Sequence, residues 1–276
     1  MSRRISGLVC AFMLLGIADA YSQSLHYLVR KMDNLITSKW EKNSQGESCL
    51  NYYNSDFSDY IRFCEGDVKV IRPGKNTIYT RKGSELESAY KYGKSYHLYR
   101  GRFPKKDFDP FFVYAFPVKS GKKVMWKIDR REPKRTLCFR AEYRDTVYAS
   151  RSGRVCMTEF TKDCVLLYHD DSSFAGYLNM DETFVTPGMF VRTGQPIGLA
   201  GHTDISMTVF FLDPNMFEGN TFIVHPYTHI MPVFRTDEGD VKLEERKIYR
   251  ALTDTDLITA EMGKAEKKRY LKNLKK

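Results

Sequence analysis

The chain has 276 residues, with 44 Lys and Arg against 34 Asp and Glu, and a formal net charge of +10. This length exceeds one compact β domain, so we expect an additional module. Seven of the basic residues fall between Lys264 and Lys276, without the interleaved aromatic residues of a nucleic-acid platform, which argues against a nucleic-acid partner.

The first 20 residues have the pattern of a secretory signal peptide. Two arginines precede an apolar run from Leu8 to Ile17, and Ala18-Asp19-Ala20 supplies small residues for cleavage. The run is too short to span a bilayer, although a retained membrane anchor is the alternative. The pattern predicts residues 1–20 as a signal peptide, and an exported protein that is periplasmic or extracellular.

Residues 21–113 are predicted to form an N-terminal segment of mixed structure. Apolar residues recur at threes and fours from Ser22 to Lys42, which predicts a helix. Asn43 to Gly66 is polar and predicts a loop. Val68 to Thr80 predicts two strands joined by a turn, and Ser84 to Tyr92 a short helix.

The cysteines of an exported chain can form disulfides. Cys49 with Cys64 is the first expected pair, because they bracket a segment with little apolar content that a staple would help. Cys156 with Cys164 is the second, across a hairpin, although two buried thiols acting as small apolar side chains fit them equally well. Cys138 is then the unpaired thiol.

Residues 114–236 are predicted to form a mainly β domain, an antiparallel and barrel-like sheet. Short runs of β-branched and aromatic residues, such as Val165 to Tyr168, are separated by glycines. Glycine permits positive φ and close backbone approach, as tight turns need. The glycines that punctuate these runs are Gly153, Gly188, Gly194, Gly198 and Gly201.

Three phrases of this domain carry a family resemblance. The first begins Thr146-Val147-Tyr148-Ala149, the second contains Tyr168-His169-Asp170-Asp171 and Tyr177-Leu178-Asn179, and the third contains Gly194-Gln195-Pro196-Ile197-Gly198. In order and spacing they resemble T-P-V-x-A, H-x-D-G with Y-x-H-L, and G-Q-x-I-G of the LytM/lysostaphin-type murein metalloendopeptidases, over roughly a hundred residues. The resemblance implies a duplicated-hybrid-motif β domain.

The resemblance also implies five polar site residues, and all five are replaced in this chain. Lys134 and Cys138 stand at the family's first His and Asp, and Asn179 stands at the His of Y-x-H-L. Met207 and Val209 stand at the two His residues of H-L-H, where a shorter preceding loop allows a slip of one residue. Three of the family's residues hold Zn²⁺, and one remaining thiolate does not hold a catalytic metal. We therefore expect no metal, no cofactor and no catalysis.

The remaining polar groups of the domain define a candidate groove that contains His169, His202 and Tyr177. His169 also fits a half-buried histidine with a structural hydrogen bond. His225 and His229 have the spacing of two ligands on one helix face, but Pro226 favours a loop or strand end there.

Residues 237–276 are predicted as a C-terminal extension with a basic helix from Asp254 to Lys276. Lysines in its last turns suit a helix C-terminus. This end can meet an anionic lipid or wall polymer of the envelope, or be a solvated helix end.

The function that fits these features is a catalytically inactive module that binds the cell wall or regulates a hydrolase. Its expected partner is peptidoglycan or a cell-wall hydrolase. One alternative is an active hydrolase with a rebuilt site, in which Cys138 works with His169 or His202 as base. Another is a structural component of an envelope assembly.

Overall fold

The computed structural model describes residues 28–29, 34–64, 66–81, 96–105, 108–129, 136–158, 163–217 and 224–274. The predicted signal peptide, the predicted helix from Ser84 to Tyr92 and Lys134 lie outside these ranges. Within them, we find no helix with the length and apolar character needed to cross a membrane.

Two antiparallel three-stranded sheets form the N-terminal part. One has the order β1-β2-β5, from β1 (Ile36–Lys42), β2 (Ser48–Asn54) and β5 (Gly74–Arg81). The other has the order β4-β3-β6, from β3 (Tyr60–Cys64), β4 (Asp67–Ile71) and β6 (His97–Arg100). The two strands predicted over Val68 to Thr80 are therefore confirmed, although each pairs in a different sheet.

The other N-terminal predictions are corrected by these sheets. The end of the predicted helix over Ser22 to Lys42 is strand β1, and the predicted loop over Asn43 to Gly66 contains β2 and β3. Thr37 and Trp40 in β1 and the tyrosines of β2 favour a pleated surface. Pairing of β1 with β2 along all seven residues outweighs the helix-like spacing of the apolar side chains.

The largest sheet has eight strands and is antiparallel. Its order is β16 (Phe190–Val191), β12 (Gly153–Val155), β13 (Cys164–Tyr168), β14 (Ser173–Leu178), β18 (Ile205–Leu212), β10 (Leu137–Phe139) and β9 (Trp126–Ile128), with β19 (Tyr227–Ile230) also paired to β18. The domain is mainly β and antiparallel, as predicted. Within the described chain, however, β16 and β9 are opposite edges of an open sheet, which corrects the barrel-like description.

Smaller sheets complete the β structure. One has the order β11 (Thr146–Tyr148), β17 (Pro196–Ala200) and β15 (Met180–Thr183). A second has the order β21 (Gly239–Lys242), β20 (Val233–Thr236) and β7 (Val113–Tyr114), in which β20 and β7 are parallel. The third pairs β22 (Tyr249–Arg250) with β8 (Lys123–Val124). Strands from the predicted C-terminal extension thus pair with strands of the preceding domain.

Two short helices replace the single predicted C-terminal helix. Helix α1 spans Thr255–Thr259, and the side chain of Asp254 caps it by accepting a hydrogen bond from the Leu257 amide. Helix α2 spans Lys264–Asn273 after Gly263 in extended conformation. A turn of 3-10 helix at Pro214–Phe217 follows β18.

The main core lies on one face of the eight-stranded sheet. It combines inward residues of that sheet with residues of the smaller sheets, including Val147, Met207, Val209, Ile197 and Phe234. A second apolar cluster, with Leu28, Leu166, Phe174 and Phe210, lies on the opposite face. We call this opposite side the outer face.

Candidate functional site

Strand β18 sends alternate side chains to the two faces of the sheet. Met207 and Val209 are 0% and 1% exposed and belong to the main core. Ser206 and Thr208 lie between them in sequence and therefore point to the outer face. Met207 and Val209 are the residues aligned with the histidines of H-L-H. Because they point into the main core, they do not reach the outer face.

A polar cluster surrounds Ser206 on the outer face. Cys138 is its cross-strand partner in β10, with 3.6 Å between the Cys138 Sγ and Ser206 Oγ atoms. Asn179, just after β14, donates from Nδ2 to Ser206 Oγ at 2.9 Å and to the Asp204 carbonyl oxygen at 3.1 Å. The structure therefore brings Cys138 and Asn179 together through a serine.

Thr208 extends this cluster to the neighbouring strand. Its Oγ1 atom lies 3.0 Å from Nδ1 of His229, which lies near the end of strand β19, one of the two alternatives predicted there. We call Cys138, Asn179, Ser206, Thr208 and His229 the outer-face cluster. Sequence reasoning missed Ser206 and Thr208, although the period-two pattern of Ser206 to Phe210 in a strand contains that signal.

The outer-face cluster is built from weakly reactive groups. Burial raises the pKa of the Cys138 thiol above its usual range. Among the described residues, Ser206 is the one hydrogen-bond partner of that thiol, so no histidine activates it. The nearest ion pair on this edge joins Lys127 Nζ to Asp204 Oδ2 at 2.8 Å. The rebuilt Cys138 site with His169 or His202 therefore has no support in these contacts.

The donor atoms of the cluster do not fit a catalytic zinc ion. Such a site needs three protein ligands, usually His, Cys or carboxylate, and an open position for water. Cys138 and His229 are the two residues of the cluster with suitable atoms, beside hydroxyls and an amide. The described part of the chain holds no group of three or more His, Cys, Asp and Glu side chains that could bind a metal ion.

Leu28 packs on the outer face at the Thr208 end of the cluster. A Cβ atom on Gly176 would lie 2.5 Å from Leu28 Cδ1 and 3.3 Å from Thr208 Cγ2, so Leu28 packs directly on the sheet beside Thr208. Leu28 itself is 1% exposed. Any side chain at position 176 would displace it, which explains the glycine. The outer face is therefore closed at the position of Thr208.

A buried arginine holds Leu28 in place. Arg100 donates to the Leu28 carbonyl oxygen at 2.6 Å and to the Met157 carbonyl oxygen at 2.8 Å. It also pairs with the Asp56 carboxylate at 3.1 Å, and both side chains are fully buried. One guanidinium thus joins the N-terminal sheets, the Leu28 backbone and the eight-stranded sheet.

The predicted groove residues do not meet in one groove. Tyr177 is in the main core, where its hydroxyl accepts a hydrogen bond from the Ser150 amide at 2.7 Å. His169 is buried, with 2.7 Å between Nδ1 and the Ser152 carbonyl oxygen. His202 is exposed and stacks on the Tyr143 ring at a centroid distance of 4.0 Å.

A second polar cluster lies around Arg151. Its guanidinium pairs with Asp171 at 2.7 Å and with Glu261 at 2.8 Å, and stacks over the Phe112 ring at 3.8 Å. Burial, and then the charge of Arg151, lower the pKa of nearby His169 to about 3. We call Arg151, Asp171, Glu261 and His169 the Arg151 cluster. Glu261 follows α1, so this cluster fastens the C-terminal extension to the domain.

Neither predicted disulfide is formed. The cysteines in the described ranges are all buried, and no disulfide joins them. Cys49 lies in the β1-β2-β5 sheet and Cys64 in the β4-β3-β6 sheet. Cys156 and Cys164 both belong to the second apolar cluster, in agreement with their interpretation as small buried apolar side chains.

Comparison with known proteins gives one family match. Residues 132–213 match the sequence model of peptidase family M23. No curated protein sequence matches the chain significantly. The match to the family model confirms the family resemblance that the sequence phrases indicate.

Several solved structures of related peptidases are similar. A zinc-containing peptidase from Vibrio cholerae is 14% identical, covering 76% of this chain and 93% of its own, with a TM-score of 0.35. The catalytic domain of lysostaphin from Staphylococcus simulans is 16% identical, covering 43% and 86%, with a TM-score of 0.29. Csd3 from Helicobacter pylori is 14% identical, covering 83% and 58%, with a TM-score of 0.31. TM-scores this low establish neither fold nor function, whereas the sequence match shows similarity to peptidase family M23 over residues 132–213.

Proposed function

We propose that this chain is an exported, catalytically inactive M23-domain protein that binds the cell wall or regulates a cell-wall hydrolase. The observation that carries the proposal is the identity of the outer-face residues on β18. In an H-L-H phrase within a strand, both histidines share one face and the leucine packs in the core. Met207 takes the core position, so Ser206 and Thr208 occupy the histidine positions.

This register supports the loss of zinc chemistry more strongly than the sequence alignment did. Two hydroxyls replace two imidazoles, Asn179 replaces the third, and Cys138 replaces a carboxylate. A zinc peptidase uses its metal to make a nucleophile from water and to polarise the scissile carbonyl. Hydroxyls and an amide bound to one another supply neither effect.

The packing of Leu28 on the outer face helps to distinguish a hydrolase partner from peptidoglycan. With Leu28 packed beside it, Thr208 is closed to a wall peptide. This favours a protein partner, a cell-wall hydrolase, over peptidoglycan bound as a substrate would be. Peptidoglycan contact elsewhere on the chain remains compatible with the proposal.

The experiment uses purified wall sacculi and an active M23 hydrolase, and the readout is released muropeptides. We expect the chain alone to release none, with or without added Zn²⁺. We expect it either to change the rate of the added hydrolase or to remain bound to sacculi after washing.

Release of muropeptides by the chain alone, abolished by Cys138→Ala, would overturn the proposal in favour of a rebuilt active site. Absence of release, of retention and of any effect on the hydrolase would also contradict it and would leave a structural role in the envelope. Bovine serum albumin at equal concentration controls for nonspecific effects on the hydrolase.

A further inference from the structure

An exposed apolar tip lies at the β16 edge of the eight-stranded sheet. Met189 and Phe190 are 41% and 46% exposed, next to each other in sequence. The ring of Phe57 packs against the preceding turn, where a Cβ on Gly188 would lie 2.8 Å from it. Gly188 has a φ of 90°, which glycine adopts readily, so this residue suits the tight turn before Met189. Adjacent exposed apolar side chains at a sheet edge are typical of a contact surface.

Two arginines flank this tip. Arg154 is the cross-strand partner of Phe190 in β12, is exposed, and donates to the Gly188 carbonyl oxygen at 2.7 Å. The guanidinium carbon of Arg192 lies 5.8 Å from the centre of the Phe190 ring. Two arginines therefore lie beside Phe190.

Helix α2 adds further cations on the same side. Its Glu266 forms an ion pair with Arg192. The turn at Gly194 also contacts a residue just before α1, since a Cβ on Gly194 would meet Thr253 at 2.8 Å. No residue of α2 is buried. Glu266 is the helix's one acid and is paired with Arg192; the basic residues of the helix are Lys264, Lys267, Lys268, Arg269 and Lys272.

We propose that Met189, Phe190, the two flanking arginines and α2 form a membrane-binding patch for the anionic phospholipid surface of a bilayer. Lys and Arg beside the surface are attracted to anionic headgroups, while an aromatic ring and a thioether enter the interface. A soluble anionic polymer would use the charges but leaves Met189 and Phe190 without a role.

The membrane-binding patch is separate from the outer-face cluster. Strand β16 is one edge of the sheet and β10, with Cys138, is five strand positions away, roughly 24 Å at the usual strand spacing. The proposal therefore stands independently of whether the chain is inactive or regulates a hydrolase, and both surfaces can be engaged at once.

The test is co-sedimentation of the purified chain, after removal of its signal peptide, with vesicles of phosphatidylcholine alone or with added phosphatidylglycerol. We expect binding to the mixed vesicles, weakened by salt, and little binding to neutral ones. The double variant Met189→Ser/Phe190→Ser and the triple variant Lys268→Glu/Arg269→Glu/Lys272→Glu should each weaken binding about tenfold or more.

Matched controls change equal numbers of exposed side chains elsewhere. They are Val224→Ser/Ile248→Ser, which removes two exposed apolar side chains, and Lys119→Glu/Lys123→Glu/Arg140→Glu. We expect both to bind like the unaltered chain, and unchanged thermal melting verifies the fold of all four. The proposal is overturned by absence of binding to anionic vesicles, or by equal losses in patch and control variants. It is also overturned if the serine variant binds fully while the charge variant does not, because binding would then depend on charge alone, without the apolar side chains.

Discussion

The Arg151 cluster and the outer-face cluster are both polar and largely buried, yet one is built mainly from charged and the other from uncharged side chains. Around Arg151 the groups are charged, and each ion pair joins separate parts of the chain, including Glu261 beyond α1. In the outer-face cluster Cys138, Asn179, Ser206 and Thr208 are uncharged, and hydrogen-bond contacts join them across adjacent strands. The charged Arg151 cluster joins the C-terminal extension to the domain. The outer-face cluster, which lies at the strand positions that resemble the peptidase metal site, holds no carboxylate.

The largest effect is expected at Arg151. Arg151→Met keeps an unbranched side chain but removes the positive charge that pairs with the carboxylates of Asp171 and Glu261. Breaking a buried ion pair in this way typically costs about 3–5 kcal/mol of unfolding free energy. Urea denaturation at neutral pH measures the loss.

The matched control for this variant is Arg144→Met. Arg144 also pairs with two carboxylates, Asp181 and Glu182, but at the surface, where solvent screens the interaction. We expect a much smaller loss. Equal losses in the two variants would show that the Arg151 cluster does not fasten the C-terminal extension.

The next largest loss of stability is expected at Leu28, which packs beside Thr208 of the outer-face cluster. Leu28→Ala removes a buried side chain between Gly176 and Thr208, and such truncations cost about 2–5 kcal/mol. Gly176→Ala should also destabilise the chain, because its Cβ would collide with Leu28. In the double variant that collision is absent, so the two losses should not add. Additive losses in a double-mutant cycle would contradict the packing of Leu28 on Gly176.

The Arg151 cluster also predicts a pH dependence. Burial lowers the pKa of His169 from 6.5 to about 3, so between these values the unfolded chain binds a proton that the folded chain does not. Stability from this residue is therefore complete above pH 6.5 and falls as the pH decreases, by about 1.4 kcal/mol per pH unit.

Denaturation of the unaltered chain and of His169→Gln between pH 6.5 and 4.5 isolates this slope by difference. Glu261, whose pKa burial raises, remains in both proteins and cancels. Parallel pH profiles in the two proteins would mean that His169 is not held neutral by its surroundings.

The two clusters were not equally accessible from the sequence. The turns and strands follow from local pattern and spacing, and the positions of Cys138 and Asn179 follow from the family resemblance of the phrases around them. The register of β18 did not, because an alignment across a shortened loop slips by one residue, and one residue exchanges the two faces of a strand. Glu261 and Leu28 reach their clusters from distant parts of the chain, which no local pattern contains.

The N-terminal errors have the same physical origin. The spacing of apolar residues from Ser22 to Lys42 fits a helix. Ile36–Lys42 nevertheless forms a strand, because its backbone pairs with β2. The expected disulfide between Cys49 and Cys64 assumed a segment with little structure. That segment instead contains β2 and β3, and buried Leu50, Tyr52 and Tyr60 stabilise it by packing.

The smallest effect is expected at Cys138. Cys138→Ala removes a thiol with one weak contact, while Asn179 continues to donate to Ser206. We expect a loss of about 1 kcal/mol or less in urea denaturation. A loss of unfolding free energy comparable to that of Arg151→Met would show that the outer-face cluster stabilises the fold as strongly as the Arg151 cluster, against this prediction.

The zinc content of the purified chain tests the central claim most directly. Protein prepared without chelators and dialysed against metal-free buffer is analysed for zinc per chain, before and after incubation with Zn²⁺. The identities of Cys138, Asn179, Ser206 and Thr208 predict far less than one zinc per chain in both samples. One zinc per chain that survives dialysis, and is lost in Cys138→Ala, would contradict the assignment of this site as unable to hold the family's metal.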